Sequence, residues 1–358
     1  MAIDPATTAG AFGAEVPASA GVEARDLPPG IGPYALAWRR LRRNRVALVF
    51  GALFALMIVL CLLAPVYSSQ IAHTGPNENH VTDVIKVGGK SRDVVSAVGI
   101  PIGPTWQGRF LLGADSNGRD IAVRLLYGGR NSLEIGFIAT LLTMILAVIA
   151  GVCAGYFRGK VDGVISRVLD LIWAYPAVLL GVALGVTLAV AGLDLGFVQL
   201  QGNSLLVPAV IIGVVYVPYV AKPLRGQVLG LREKEFVDAA RAQGLGHLRI
   251  MVGEILPNVA STIIVFLPLI LANAILLEAG LSYLGAGVQA PNPSWGTMIS
   301  DGIRLIPSAM HLVFVPGLML VLTVLGINVF GDGVRDAVDP RAKVRIEAPA
   351  GSTAADPG

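Results

Sequence analysis

Residues 135–157 read IGFIATLLTMILAVIAGVCAGYF, and this charge-free run decides the fold class. A bilayer core about 30 Å thick is crossed by roughly 20 helical residues at 1.5 Å each. The run is long enough to cross, and it is apolar on every face. A membrane strand would instead alternate apolar and polar residues over about ten positions. Similar stretches lie on either side of it: Val46 to Val66, Leu171 to Leu193, the shorter Leu205 to Ala221, Ile255 to Leu277, and Leu305 to Gly331. The sequence therefore predicts an all-α, polytopic membrane protein with six transmembrane helices.

Composition agrees. The 358 residues are 54% hydrophobic and only 14% charged, against about 25% charged in soluble domains, and mean hydropathy is +0.70. This points away from a soluble enzyme and from disordered, collagenous or disulfide-framework chains. The net charge of +3 is too small to argue for a nucleic-acid partner. Its distribution says more. Of the 27 lysines and arginines, 19 fall before the first span, between spans two and three, within 222–254, or in the tail. The opposite side carries only Arg304 outside the long 67–134 loop, and loops above about 60 residues follow the positive-inside rule weakly. Both termini are expected to be cytoplasmic. The run Arg39 to Arg45 acts as a stop to translocation, with an anionic-lipid site as the alternative.

Several chemistries are missing. Cys61 and Cys153 both lie inside spans and read as packing residues. The four histidines show no ligand spacing, so neither a metal site nor a cofactor is expected. Residues 285–290, GAGVQA, fit a dinucleotide fingerprint only on paper, because Pro291 and Pro293 follow where a helix should open. Gly159 and Lys160 end no P-loop, since residue 154 is Ala and residue 161 is Val. Asp170 and Glu278 sit at span ends and not at the midplane, which weakens an ion-coupled secondary transporter, the alternative of a different class. No catalytic residue is identified. If transport here is powered by nucleotide, another subunit must hydrolyse it.

The loop 222–254 is patterned. Residues 233–243, EKEFVDAARAQ, read as a helix with Phe236, Val237 and Ala240 on one face, and Gly244 and Gly246 can end it with positive φ. A second amphipathic stretch (Leu248, Ile250, Met251, Val252) runs into Leu256 and Pro257. The residues admit two readings: a knob onto which another protein docks, or a helix pair lying on lipid.

Asp238, Ala239, Ala240, Gly244, Leu256 and Pro257, at their spacing, resemble the EAA loop of bacterial binding-protein-dependent ABC importers. Asp238 stands where that loop usually has Glu, and Glu254 occupies a usually apolar position. Three further segments resemble the peptide/nickel branch: 112–120 (LGADSNGRD) continuing to Leu133, 278–289 (EAGLSYLGAGVQ) with 293–296 (PSWG), and 331–341 (GDGVRDAVDPR). One span, a long external loop and then five spans is similar to the C-type permease subunit of dipeptide and oligopeptide importers. The resemblance implies a type I ABC importer permease fold. It also implies a second homologous permease, two ATP-binding subunits, an extracytoplasmic solute-binding protein and membrane lipid as partners. The six EAA residues would couple to the ATPase, and the cargo would be di- or oligopeptides, with nickel chelates or glutathione-like solutes as alternatives.

Local readings accompany these segments. Asp115, Arg119 and Asp120 can pair in a turn bent at Gly118. The Arg119, Arg124 and Arg130 series reads as a surface helix or docking face. Trp295 reads as an interfacial anchor, or as a border of the path. The division expected is a disordered cytoplasmic tail (1–38), a basic segment with the first helix (39–66), an external loop (67–134), a five-helix core permease domain with its coupling loop at 222–254 (135–331), and a cytoplasmic tail (332–358).

Overall fold

A computed structural model describes residues 33–194 and 199–338. The tail expectations for 1–32 and from 339 onward lie outside them. Helix α1 (Pro33–Arg43) holds the basic run and packs against the last helix of the chain, and the Asn44 side chain caps α2 (Arg45–Leu62) by accepting from the Ala47 N–H at 3.1 Å. Residues 33–38, expected to be disordered, are therefore helical. After the short α3 (Ala64–Tyr67) the chain forms a hairpin, β1 (Val84–Val87) antiparallel to β2 (Lys90–Asp93). Gly88 and Gly89 both have positive φ, which suits the right-handed strand twist in a two-residue turn.

The long helix α4 (Ile121–Phe157) runs the full height of the bundle. Next come α5 (Gly159–Trp173) and α6 (Ala177–Ala191), then two-residue strands β3 (Leu193–Asp194) and β4 (Gln199–Leu200). Helices α7 (Leu206–Val215) and α8 (Val217–Leu231) follow, and the loop holds α9 (Glu235–Ala242) and α10 (His247–Ile250). The chain continues through α11 (Leu256–Tyr283), α12 (Trp295–Gly302), α13 (Ile306–Ala309) and α14 (His311–Val338).

Helix α4 is the hub. It packs on α7, α8 and α11, while α14 closes the other side against α2, α11 and α12. Gly151 and Gly155 allow α4 and α8 to approach closely: a Cβ at Gly151 would lie 2.8 Å from the Ala221 carbonyl oxygen, and one at Gly155 would lie 2.7 Å from Val228. Small residues four apart are a common route to close helix contact in membranes.

Among the described residues, five helices are long and apolar enough to cross a membrane, and the bent pair α5–α6 raises the number to six if counted as one span. The all-α, polytopic reading holds, but individual boundaries move. The second helix begins at Ile121, inside the stretch read as an external loop, because Asp120 caps it there. The third span is not one rod. Its two halves meet at 87°, broken at Ala174 to Pro176, where proline lacks the N–H that would continue the helix. The sixth helix starts at His311, not Leu305, and continues past Gly331 to Val338, so 332–338 is helix and not tail.

Candidate functional site

Of the stretch 222–254 expected as a loop, 222–231 belongs to α8, and 232–254 folds into a knob at one end of the bundle. Helix α9 stops in a Schellman turn: the Leu245 N–H donates to the Ala240 carbonyl at 3.1 Å and the Gly244 N–H to the Arg241 carbonyl at 2.9 Å. Gly244 takes φ +79°, which only glycine adopts without strain. The knob's inner face is Val237, Ala240, Ile250, Met251 and Ile255, all buried in one apolar cluster with Leu224 and Val228 of α8. Its outer face leaves Leu248 71% and Val252 56% exposed.

The six sequence-picked residues divide accordingly. Asp238 is exposed and paired with Arg241 at 3.0 Å, and Ala239 and Gly244 are exposed. Ala240 is buried, so it fixes the helix against the core and is not itself open to a partner. Leu256 is half-buried and Pro257 is exposed in the first turn of α11. Phe236, expected on the same face as Val237 and Ala240, is more than a third exposed.

Sequence reasoning missed what holds the knob. The Tyr156 hydroxyl, at the end of α4, lies 2.9 Å from His247 Nδ1. Arg232 Nη1 donates to the Tyr156 carbonyl at 2.6 Å, and the guanidiniums of Arg232 and Arg241 both sit 5.8 Å from the Tyr156 ring centre. Ion pairs then lock α5 across α8: Arg158 with Glu233, Arg225 with Asp162 at 2.5 and 2.6 Å, and Lys222 with Asp170 at 2.7 Å. Arg158 holds the Glu233 carboxyl below its usual range. No helical period relates 156 to 247, and the only hint was a histidine placed just after the glycine turn.

The opposite end of the bundle buries three of its charged side chains, Asp115, Asp120 and Arg124, in one region. Asp120 is fully buried and accepts three backbone N–H bonds, from Phe110 at 2.5 Å, Ala122 at 2.8 Å and Val123 at 3.2 Å. Asp115 accepts from Arg119 Nε at 2.6 Å in a turn where Gly118 takes φ +71°, but Asp120, expected to pair in the same turn, accepts from backbone instead. Arg124, expected on a surface helix, is buried instead. It donates to the Pro76 carbonyl at 3.0 Å and Asn77 Oδ1 at 3.2 Å, with Asp115 and Asp301 at 3.7 and 3.9 Å. Trp295 is no interfacial anchor. It is fully buried, its indole N–H donating to the Leu125 carbonyl at 3.1 Å, in a slot left open by Gly129.

The family model for the binding-protein-dependent transport system inner membrane component matches residues 135–344. The chain belongs to that family. A second model, the N-terminal TM domain of oligopeptide transport permease C, matches residues 32–82 of the permease. The permease is 37% identical to the dipeptide transport system permease protein of Alkalihalophilus pseudofirmus, over 89% of this chain and 93% of that one. It is 35% identical to the di/tripeptide transport system permease protein of Pseudomonas aeruginosa (86% and 91%) and 33% identical to the glutathione transport system permease protein of Salmonella typhimurium (87% and 91%). Among solved structures, an inward-facing chain of the methionine ABC transporter MetNI aligns with TM-score 0.49 at 19% identity, covering 60% of this chain and 96% of that one. The permease is thus a multi-pass inner-membrane component of a binding-protein-dependent transport system, a reading that fits better than an ion-coupled carrier.

Proposed function

We propose that the chain forms half of the translocation pathway of an ATP-driven importer for di- or oligopeptides. A second, homologous permease supplies the other half, two ATP-binding subunits dock on the side of the 232–254 knob, and a solute-binding protein delivers cargo at the opposite end. Both termini are cytoplasmic in this reading, as is the knob. The observation that carries it is the knob itself. It is held firmly on its inner face by Val237, Ala240 and the Tyr156 contacts, while Ala239, Leu248 and Val252 lie open on its outer face. Exposed apolar side chains on so firmly held a loop are suited to a protein contact. Asp238, Ala239, Gly244 and Pro257 provide the contact, and Ala240 and Leu256 hold them in place.

Ala239→Trp is the cleanest test, because Ala239 is exposed and a bulky side chain there leaves the core intact. Recovery of the ATP-binding subunits on co-purification falls about tenfold, a cost of roughly 1.4 kcal/mol, with no change in thermal unfolding of the permease. Unchanged association and unchanged transport would sink the assignment. Cargo is tested separately, by uptake of a labelled dipeptide into proteoliposomes holding the complete transporter. Relatives named for glutathione are nearly as similar as those named for dipeptides, so uptake of glutathione without dipeptide moves the cargo to that class.

A further inference from the structure

The face formed by α8 and α11 differs from the rest of the bundle's outside. Elsewhere the exposed side chains of the spans are largely apolar, such as Val49, Leu56 and Val59 on α2 and Phe314, Leu318 and Val321 on α14, with Glu134 on α4, Thr187 on α6 and Asn328 on α14 as isolated polar exceptions. Along α8 and α11 polar groups form a strip instead: Gln227 and Tyr219 are exposed and Thr262, Tyr216 and Asn273 half-buried, beside the exposed Leu267, Leu269 and Leu276 of α11. At one end the Thr262 hydroxyl donates to Gln227 Oε1 at 2.9 Å, and at the other the Tyr216 hydroxyl donates to the Asn273 carbonyl at 3.3 Å. Between them Tyr219, 41% exposed, stacks on Trp173 with ring centres 4.6 Å apart and meets Tyr216 edge-on at 5.3 Å.

Open polar side chains at membrane depth face a bundle interior or a water-filled cavity, since hydrocarbon offers them no partner. A belt of tyrosine and tryptophan at the headgroups is the other common setting for such rings. A belt occupies a single level, and this strip does not. Thr262 to Asn273, like Gln227 back to Tyr216, spans eleven residues, about 16 Å of helix axis and over half of a hydrocarbon core about 30 Å thick. The backbone is also irregular beside the strip. Tyr216 separates α7 from α8, and beyond Trp173 the chain turns by 87° into α6. Breaks of this kind at membrane depth are tolerated where they are covered by protein or line water.

We infer that the α8–α11 face, from Thr262 and Gln227 to Tyr216 and Asn273, lines a water-filled substrate path. Trp173, Tyr219 and Tyr216 form a ladder along that path on which a neutral, amide-bearing solute stacks. The inference deepens the proposed function and rests on it for the identity of the cargo. Planar amides pack on aromatic faces, and Gln227 and Thr262 offer hydrogen bonds without a fixed charge. Lys222 Nζ lies 4.6 Å from the Trp173 ring centre and is paired with Asp170 at 2.7 Å, and Arg225 is paired with Asp162.

Cysteine labelling in membranes carrying the assembled transporter tests this, on a background with Cys61→Ala and Cys153→Ala. Thr262→Cys, Tyr219→Cys and Asn273→Cys react with a small charged methanethiosulfonate at least about tenfold faster than Val49→Cys and Leu318→Cys, because the reactive thiolate forms only in water. Three positions along the strip keep the result readable if one variant fails to assemble. Reaction at all three as slow as at the two apolar controls overturns the inference and gives the face to lipid or to another chain. Labelling reads water access without cargo. Fast labelling in a transporter that moves no peptide therefore keeps the path and removes only the peptide assignment.

Discussion

At the end of the bundle built from 76–130 and 278–302, Asp115, Asp120, Arg124 and Glu278 are buried, with Glu78, Lys86, Lys90, Arg92, Arg130 and Asp301 exposed around them. At the end built from 222–254, most charged groups lie on the surface. Asp120 and Asp115 are buried and bonded to nearby backbone N–H groups, and Arg124 is buried and bonded to the Pro76 carbonyl far away in sequence, whereas Asp238, Arg241, Glu233 and Arg158 pair where solvent reaches them. Buried polar groups are costly to leave unpaired, so the first arrangement specifies one geometry. Exposed pairs contribute little to stability and leave a surface that can be covered by something else. One end is a fixed plug. The other is a firmly held platform.

If that contrast is right, substitutions at the plug cost most. Trp295→Ala empties the slot beside Gly129 and removes the bond to Leu125, and is expected to destabilise by about 3–5 kcal/mol. Thermal unfolding in detergent reads this, and a small change would show that the plug is not packed as described. Asp120→Ala strands two backbone N–H groups in the first turn of α4 and a third on Phe110, for about 2–3 kcal/mol. Asp120→Asn should recover part of that loss, since an amide oxygen still accepts.

At the platform the effects are smaller and of another kind. Gly244→Ala meets no neighbouring atom, so its cost is the positive φ alone, about 1 kcal/mol. A cost well above that would mean a contact at Gly244 that the turn geometry does not include. Tyr156→Phe removes only the hydroxyl facing His247, worth about 1 kcal/mol or less. Its mark is faster proteolysis within 232–250 at nearly unchanged thermal unfolding, and equal proteolysis would show that the hydroxyl does not hold the knob.

The spans were legible because a run such as 135–157 has no soluble explanation, and the knob was legible from Val237, Ala240 and Gly244. Bends and burial were harder to read. Pro176 interrupts the helix, but nothing local gives an angle of 87° between α5 and α6. Trp295 and Arg124 were assigned to surfaces because amphipathic side chains usually end there. Their burial depends on a gap at Gly129 and on acceptors at Pro76 and Asn77, which only the folded chain brings near. One signal was available: the pair Gly128–Gly129, set in a helix that has no turn to make there, marks a place where something large must fit.

Helix α4 joins the two ends. Its first residue follows the buried Asp120 cap, and its last turn carries Tyr156 in the hub beneath the knob. At 37 residues it is about 55 Å long, well beyond a bilayer core of about 30 Å. Such a rod is a lever. Pivoted at the plug, a tilt of about 5° over that length sweeps the knob end by roughly 5 Å, the rise of one helical turn. A displacement of that size at the platform therefore requires no unwinding inside the membrane.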